Sequence, residues 1–536
     1  MKMLFALNGW RLQQQQWTTI GRQLCRQLRR QRHNRQLMIA GGDSGHHYSR
    51  KQQLRPQSTC ISSPTPPSPT NKPFIQCKPS AAAILPKRLN IKNALITEPS
   101  GDQLVAISGW IRFVRKQRPV FIHINDGSDR RNLQVVISGK DVIKNLTIKD
   151  LHHGCCVRCV GHLMPSPGPK QPTELLCQSL EIVGACDPLE YPFVDKGLTH
   201  DTTAAYCRQY PHLRQRLSIY QSLARIRSEA QNAVHMYCKQ NDFIQTTAPL
   251  ITSNDCEGGG HVFSIKSPYC NQDNQYYFDR QTYLTVSSQL HLEAMARSLS
   301  RVYTISQCFR AERSLSRRHL AEFLMFEAEE AFVDTVDELM DRVETVCKFI
   351  AYYLSNQCTD DFNYLIKETN YEYFDNFLQK RYVRMTYNDA IDVLTKCPKY
   401  ATTLKSGHNL SAEHERYLVD YSGNVPVFVT HFPANVKPFY MKQSDGKALC
   451  FDLLSPISGE ICGGSLREDD YKVLDNRLID LNLKDNFDWY LDLRRFGNTI
   501  TGGFGIGFDR LIQTLTGIQN IRDVTTFPRY WHNCQL

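Results

Sequence analysis

The stretch FRAERSLSRRHLAEFLMFEAEE, residues 309 to 330, holds four arginines, one histidine and five glutamates among a few aromatic residues. Two strand-like runs, 302–310 and 321–332, flank its loop RSLSRRH. Alternate side chains of a strand share a face, so one face of the second run carries Phe323, Met325, Glu327 and Glu329. Guanidinium groups bind phosphate oxygens bidentately. The stretch therefore predicts a cleft that takes a polyphosphate at one end and an ammonium or amide group at the other.

A second arginine follows a glycine-rich run near the end of the sequence, in TGGFGIGFDRLIQTLTG. The glycines allow the backbone to approach a ligand closely, and Asp509 and Arg510 open a helix with apolar positions at Leu511, Ile512 and Leu515. Taken alone, this pattern is also compatible with a dinucleotide-binding loop. The glycine spacing and the βαβ unit of such a loop are absent, and the combination with the 309–330 stretch favours a phosphate cleft.

The positive charge of the chain lies in its first part. The 536 residues carry a formal net charge of +11, and residues 1 to 97 alone hold 16 Lys or Arg against one acidic residue, Asp43. The remaining residues are slightly acidic. The charge therefore does not by itself indicate a nucleic-acid-binding domain, and no apolar run reaches the roughly 18 residues that a membrane span needs.

The pattern of apolar and basic residues in positions 1–55 predicts a mitochondrial transit peptide. They alternate Leu, Ile and Trp with arginines and contain no carboxylate before Asp43, which allows a cationic amphipathic helix. A disordered basic tail or a nucleic-acid-binding arm is the alternative. The next segment, 56–88, is rich in Pro and Ser and predicts a linker. The expected location is the mitochondrial matrix.

Short β-like runs separated by turn residues fill positions 89 to 186 and predict a five-stranded barrel of the OB-fold type. Arg112, Arg115, Lys116 and Arg118 near Phe121 suit a nucleic-acid surface, although a solvated strand face with one core Phe explains them equally well. Cys156 and Cys159 form a lone CxxC that is more often incidental than a zinc site.

After a second predicted linker, 187–215, amphipathic helices alternate with strand-like runs through residues 216–536. Two helical stripes, within 218–240 and 331–350, accompany strand-like runs at 302–310, 321–332, 425–432, 448–454 and 501–508. Few crossover helices separate these runs. The pattern predicts an α+β domain in which helices pack on an antiparallel sheet.

The charged segments resemble the three signature motifs of class II aminoacyl-tRNA synthetases. NDFIQTTAPLI resembles motif 1, FRAE…RRHLAEF resembles motif 2 and GGFGIGFDRL resembles motif 3. The OB-like domain ahead of the catalytic domain matches the aspartate, asparagine and lysine subgroup. LTVSSQLHLEAMARSLSRVYTISQCFRAE, ITSNDCEGGGHVF, PVFVTHFPANVKPFYM and WYLDLRRFG resemble the asparaginyl-tRNA synthetases. The likeness covers roughly residues 89 to 536.

The resemblance implies ATP as a substrate and Mg²⁺ as a cofactor. Arg310 would contact the α-phosphate and Arg510 the γ-phosphate, and these two arginines are the expected catalytic residues. The remaining implied ATP-binding residues are Glu312 and Phe323 at the adenine and Arg318 and His319 at the outer phosphates. Asp452 and Glu460 match the acidic pair that holds Mg²⁺, whose preferred ligands are hard carboxylate oxygens.

The resemblance also implies how L-asparagine is held. Gln289 and Glu257 match groups that bind its ammonium, Glu327 would accept from its side-chain amide, and Arg495 would meet its side-chain carbonyl. Aspartyl enzymes of similar type have Asp at the position of Glu327. A carboxylate there repels the like charge of an aspartate side chain, so we expect asparagine to be preferred.

The implied macromolecular partner is tRNA(Asn), aminoacylated at its 3′ end by a homodimer. In the barrel, Phe121 and Gln134 match positions that stack on and hydrogen-bond the central anticodon base, and Arg115 and Glu174 are further candidates. Stacking supplies affinity and edge contacts supply base choice.

Three features depart from the family pattern. Ile500 and Thr501 replace a Pro-His pair before motif 3, Asp509 replaces a Glu, and Asp242 stands where Gly is common. The change at Ile500 and Thr501 puts a substrate-side contact in doubt. Asp509 has a side chain one methylene shorter than the usual Glu, and Asp242 puts a turn in motif 1 in doubt. The rival hypotheses are an aspartyl or non-discriminating synthetase, an inactive RNA-binding or regulatory paralogue, and an asparagine-making ligase on the same fold.

Overall fold

The computed structural model describes residues 86–117, 119–138, 142, 148–168, 171–193, 200–256, 261–267, 275–366, 371–401 and 407–536. The predicted transit peptide and nearly all of the linker 56–88 lie outside these residues, as do Glu257 and Arg118. No helix in the described ranges is long and apolar enough to cross a membrane.

A closed five-stranded barrel forms first along the chain. Its strands pair in the order β2-β3-β4-β6-β5, and β5 also pairs with β2, which closes the sheet. A two-residue strand, β1, pairs in parallel with β2. Alternate residues of β2, such as Val105, Ile107 and Ile111, fill the interior. The barrel confirms the predicted OB-like fold. The strands are β1 Lys87–Arg88, β2 Leu104–Arg115, β3 Val120–Asn125, β4 Leu133–Ile137, β5 Cys156–Pro165 and β6 Thr173–Gly184.

An eight-stranded sheet supports the second part of the fold, in the order β12-β13-β16-β17-β18-β11-β10-β7. The inner pairs are antiparallel as predicted, but the two edge pairs, β12–β13 and β10–β7, are parallel. Its strands are β7 Ile244–Gln245, β10 Arg301–Phe309, β11 Glu322–Ala331, β12 Val383–Thr386, β13 Val427–Thr430, β16 Cys450–Ser455, β17 Gly459–Leu466 and β18 Thr501–Gly507. Two small two-stranded antiparallel sheets pair β8 Ile251–Thr252 with β9 Tyr283–Leu284, and β14 Gln443–Ser444 with β15 Lys447–Ala448.

Sequence patterns missed the central strand β17. Its sequence, GEICGGSL, holds three glycines, which have low strand propensity and no side chains to alternate. The register with its neighbours β16 and β18 explains the glycines, because a Cβ on Gly464 would lie 2.4 Å from the ring of Phe451. The glycines therefore allow β16 and β18 to pack closely on either side of β17.

Amphipathic helices cover the sheet. Helices α4 and α6 bury their apolar stripes, including Ile226, Val234, Val343 and Ile350, in one core with the sheet. The helices are α1 Ile91–Ile96, α2 His200–Cys207, α3 Pro211–Arg214, α4 Ser218–Gln240, α5 Gln289–Leu299, α6 Val336–Gln357, α7 Thr359–Leu365, α8 Tyr371–Gln379, α9 Tyr387–Thr395, α10 Ala412–Tyr421, α11 Tyr471–Asp480, α12 Lys484–Arg495, α13 Phe508–Thr516 and α14 Ile521–Val524. Short 3₁₀ turns span Ile148–Asp150 and Ala434–Val436.

The segment predicted as a second linker is partly structured. It contains α2 and α3, and the fully buried Arg214 donates to the backbone carbonyls of Arg522, Thr525 and Thr526. From the third turn of α4, Arg225 donates to the Gly127 carbonyl, in the loop between β3 and β4 of the barrel, at 2.5 Å. The described residues belong to one compact unit.

Candidate active site

A cavity of about 340 Å³ opens on the face of the eight-stranded sheet. Strands β11, β16, β17 and β18 form its floor, and the starts of α5 and α13 border it. Ten of the predicted site residues line this one cavity: Gln289, Arg310, Glu312, Arg318, His319, Phe323, Glu327, Asp452, Glu460 and Arg510. Residues separated by up to 221 positions in sequence therefore converge on a single site.

Glycines of β18 make room for the carboxylates of β11. In the antiparallel register, Glu327 lies opposite Gly505 and Glu329 lies opposite Gly503. A Cβ on Gly503 would come within 1.8 Å of a Glu329 carboxylate oxygen, and one on Gly505 within 2.5 Å of Met325. The glycine-rich run thus keeps the cavity floor open rather than forming a phosphate loop.

The cationic end of the cavity brings three arginines together. Arg510 donates to the Glu460 carbonyl at 2.7 Å and to the Arg318 carbonyl at 3.4 Å. Arg318 pairs with Glu415 at 3.2 Å, while its second terminal nitrogen is buried without a hydrogen-bond partner among the described residues. The Arg310 guanidinium lies 5.5 Å from the centroid of the Phe323 ring. This arrangement suits a triphosphate flanked by an aromatic surface for a base.

His319 lies in the same loop, in surroundings that favour the neutral imidazole. Its Nδ1 lies 3.1 Å from the Ser314 hydroxyl and 2.5 Å from that of Ser316, and its Nε2 lies 3.6 Å from Glu312. Burial lowers the pKa of His319, and the nearby Arg510 cation lowers it further. A neutral ring donates one hydrogen bond to a phosphate oxygen without adding charge.

Two carboxylates, Asp452 on β16 and Glu460 on β17, face a common point. A Cβ on Gly463 would lie 3.6 Å from an Asp452 oxygen and 3.5 Å from a Glu460 oxygen. Burial raises the pKa of Asp452 to about 6, and the charge of Glu460 adds to that rise, although Lys437 lies 2.6 Å away and opposes it. Their mutual repulsion is what a bound divalent cation would relieve.

Those two carboxylates fit Mg²⁺ in its usual protein setting. No cluster of three metal-binding side chains occurs among the described residues. Mg²⁺ is typically held by one or two carboxylates together with substrate phosphates, so a pair beside a phosphate pocket is sufficient.

The opposite end of the cavity is built around Glu327. Both of its oxygens accept from the backbone N–H of Ser288, at 3.1 and 3.0 Å, and one also accepts from the Ser287 hydroxyl. Burial raises the pKa of Glu327, while these donors oppose the rise by favouring the ionised form. The Gln289 side-chain nitrogen lies buried nearby with no hydrogen-bond partner among the described residues.

Arg495 does not reach this cavity. Its side chain is 54% exposed on the last turn of α12, where it pairs with Asp492 at 3.0 Å and donates to Tyr471. Arg467, which no sequence pattern singled out, lines the cavity instead; it is fully buried and forms a bidentate pair with Glu329 at 2.8 and 2.7 Å. Arg467 directly follows β17, and the glycines of that strand leave no hydrophobic alternation from which the sequence could have assigned Arg467 to the cavity face.

The departures from the family pattern are accommodated locally. Asp242 adopts a positive φ of 60°, so it keeps the left-handed turn that Gly favours. Asp509 accepts from Arg227 at 2.5 Å and from the backbone N–H of Leu324 at 3.0 Å, which ties α4 and β11 to α13. Thr501 is buried and donates to Glu293.

The four barrel residues proposed for base recognition share one face. The Arg115 guanidinium lies 4.1 Å from the Phe121 ring centroid, and Gln134 donates to Glu174 at 2.8 Å. His123 joins the row, 3.2 Å from Gln134. A half-buried ring beside a cation and an amide–carboxylate pair is the combination that single-stranded bases bind.

Comparisons with known proteins agree with this geometry. The family described as tRNA synthetases class II (D, K and N) matches residues 204–530. Asparaginyl-tRNA synthetase of Mus musculus is 39% identical over 86% of this chain and 96% of the relative, and that of Homo sapiens is 39% identical over 87% and 97%.

Solved structures resemble the fold as well. Asparaginyl-tRNA synthetase from Pyrococcus horikoshii, complexed with asparaginyl-adenylate, superposes with a TM-score of 0.74 at 26% identity, covering 84% of this chain and 99% of that one. The Entamoeba histolytica asparaginyl-tRNA synthetase in complex with asparaginyl-adenylate gives 0.72 at 28% identity, covering 84% and 100%. The chain belongs to the class II tRNA synthetases of the D, K and N group.

Proposed function

We propose that this protein is a mitochondrial asparagine–tRNA ligase. It activates L-asparagine with ATP to asparaginyl-adenylate and pyrophosphate, and then transfers the aminoacyl group to the 3′ end of tRNA(Asn). The observation that carries the proposal is the single cavity in which a cationic end, an acidic pair and a carboxylate-lined end meet. The names of the relatives support asparagine as the amino acid.

The first step needs positioning rather than a protein nucleophile. The carboxylate of asparagine attacks the α-phosphorus of ATP, and the bond to the β-phosphate oxygen breaks to release pyrophosphate. Arg310 and Arg510 offset the negative charge that builds up during this displacement, and Arg318 and His319 hold the outer phosphates. Phe323 offers its ring to the adenine, and Glu312 its carboxylate to the amino group of that base.

Asp452 and Glu460 would hold Mg²⁺ against the phosphates. When bound, the ion neutralises phosphate charge and fixes the triphosphate. The two side chains stand ready for a cation because their oxygens face one point and repel one another.

Asparagine is selected over aspartate at the end of the cavity lined by Glu327 and Arg467. Glu327 accepts from the side-chain amide NH₂, and Arg467, rather than Arg495, donates toward the amide carbonyl. An aspartate side chain would place a second carboxylate against Glu327 without a donor between them. The Gln289 amide has a buried donor with no partner within the described ranges, and Glu257 is assigned to the substrate ammonium on the family resemblance alone.

The barrel is the proposed anticodon-binding surface, with Phe121 as the stacking ring and Gln134, Arg115 and Glu174 around it. A homodimer is proposed from the resemblance of 241–251 to motif 1. Mitochondrial import is proposed from the composition of residues 1–55 alone. A fusion of residues 1–55 to a fluorescent protein should enter mitochondria, and cytosolic fluorescence would refute this assignment.

The proposed activity is tested by ATP–pyrophosphate exchange with each amino acid. Asparagine should support exchange far better than aspartate, and Arg310→Ala or Arg510→Ala should abolish it while leaving the circular dichroism spectrum unchanged. Exchange with aspartate alone would establish the aspartyl alternative. Full exchange in either arginine variant would refute the assigned roles, and tRNA binding without any exchange in the parent would favour an inactive paralogue.

A further inference from the structure

A carboxylate from outside the three signature motifs reaches the cationic end of the cavity. Glu415 lies in the first turn of α10, where the Ser411 hydroxyl accepts from the backbone N–H of His414 and the backbone N–H of Glu415 donates to the Ser411 carbonyl at 3.0 Å. Further along the same helix, Leu418 and Val419 are buried in the core. The position of Glu415 is therefore set by a capped and packed helix.

Glu415 binds one of the two terminal nitrogens of Arg318. Arg318 donates through Nη1 to the Glu415 carboxylate at 3.2 Å, and both side chains are largely buried. Nη2 of Arg318 is buried without a hydrogen-bond partner in the part of the chain that the structure describes, and Arg318 lines the cavity. Because a guanidinium is planar and rigid, fixing one terminal nitrogen also fixes the other. The contact thus leaves one donor of Arg318 free for a ligand in the cavity.

Arg318 depends on this partner because other cations lie close to it. Burial lowers the pKa of Arg318, Glu415 opposes that effect, and the nearby Arg416 and Arg510 add to the lowering. Without Glu415, a buried guanidinium would remain beside two like charges. A buried charge that has lost its partner is strongly destabilising, so we expect the side chain to leave its present place.

The start of β17 makes room for the pair. Gly459 has a φ of +70°, and a Cβ at this position would lie 2.6 Å from a Glu415 oxygen and closer still to Nη1 of Arg318. The pair therefore fills the space that a side chain at position 459 would occupy. Three segments that are distant in sequence meet at this contact: the loop between β10 and β11, helix α10 and strand β17.

We propose that Glu415 is a positioning residue for the nucleotide, which holds Arg318 so that its free nitrogen meets the outer phosphates of ATP. This inference rests on the proposed function, which assigns Arg318 to those phosphates. The charge of Glu415 acts in the opposite sense, since a carboxylate by itself repels a triphosphate. Positioning and repulsion predict opposite changes in ATP affinity when Glu415 is replaced, so a binding measurement distinguishes them.

Equilibrium binding of ATP and of AMP, measured without asparagine at one fixed Mg²⁺ concentration, tests the proposal. Burial raises the pKa of Glu415 to about 7, the charge of Glu460 adds to the rise and Arg318 opposes it, so the measurements are made at pH 8, where Glu415 is ionised. Glu415→Met removes the acceptor and should weaken ATP binding about tenfold, as expected for the loss of one hydrogen bond to a charged group. Binding of AMP should not change, because AMP lacks the outer phosphates.

Three further variants separate this effect from general damage. Glu415→Gln keeps an acceptor oxygen and should bind ATP more tightly than Glu415→Met does. When Arg318→Met is already present, adding Glu415→Met should not weaken ATP binding further, because the effect acts through Arg318. Glu413→Gln, on the same turn of α10, removes an exposed pair with Lys399 and should bind both nucleotides as the parent does.

The proposal is overturned if Glu415→Met binds ATP as tightly as the parent or more tightly, or if it weakens ATP and AMP binding equally. It is also overturned if Glu415→Gln and Glu415→Met bind ATP equally well, or if Glu415→Met still weakens ATP binding in the Arg318→Met background. A parent that shows the expected nucleotide pattern but no asparagine-dependent ATP–pyrophosphate exchange would refute the proposed activity and leave the role of Glu415 standing.

Discussion

Replacing Asp452 by Asn should stabilise the fold while removing activity. Burial raises the pKa of this carboxyl from 3.8 to about 6, the charge of Glu460 contributes, and the contact with Lys437 offsets only part of the rise. A rise of about two pH units corresponds to about 3 kcal/mol. Ionised Asp452 therefore destabilises the folded chain by about this amount. The destabilisation arises because two carboxylates lie close together in a site that would hold a cation.

The pH dependence of this gain follows from the direction of the shift. Because the pKa is higher in the folded chain than in the unfolded chain, the folded chain loses stability as pH rises from about 4 to about 6 and bears the full cost above that range. Asp452→Asn should thus gain about 3 kcal/mol at pH 8 and about half of that at pH 5. Urea unfolding without nucleotide or Mg²⁺ measures both values.

The same variant should lose ATP–pyrophosphate exchange by about two orders of magnitude or more, because the neutral amide is a poor ligand for a hard cation. Asp392→Asn, at an exposed position of α9, should change neither stability nor exchange. The electrostatic reasoning is refuted if Asp452→Asn is less stable than the parent at pH 8, or if its gain is the same at pH 5 and pH 8.

Three further substitutions test the scaffold and the barrel. Glu293→Ala should lower the free energy of unfolding by about 3–5 kcal/mol, since it removes the carboxylate that lies 2.7 Å from the buried guanidinium of Arg494 and balances its charge. Glu413→Ala, which breaks an exposed pair with Lys399, should leave the thermal midpoint nearly unchanged. Gly503→Ala should disrupt the cavity and abolish asparagine-dependent exchange, because its Cβ would overlap Glu329, whereas Gly184→Ala meets its nearest atom at 3.6 Å and should be tolerated in both exchange and solubility assays. Phe121→Ala should raise the KM for tRNA about tenfold without affecting exchange, and an unchanged KM would remove the barrel ring from the anticodon site.

Patterns within the sequence were sufficient for much of the fold. The alternation of β11 placed Phe323, Met325, Glu327 and Glu329 on one face, and all four line the cavity. The two main helices and the barrel strands also follow from the spacing of their apolar residues. These features are local, because a period of two or of 3.6 is set by the backbone of the element itself.

Other features depended on contacts between distant segments. Sequence reasoning chose Arg495 for the amino-acid end, but α12 turns that side chain to solvent, and Arg467 enters the cavity at the end of a glycine-rich strand that carries no hydrophobic alternation. The partly structured connection at 200–215 similarly depends on Arg214 meeting carbonyls more than 300 residues away.

The sequence by itself determined which residue types were present for binding a triphosphate and an amide, and on which strands and helices most of them lie. Only the tertiary structure decided that Arg467 lines the cavity while Arg495 does not, and how far the pKa of Asp452 rises. The reason is physical: side-chain direction within one element follows from the local backbone, but burial and charge–charge distances depend on the register of strands that are far apart in the chain.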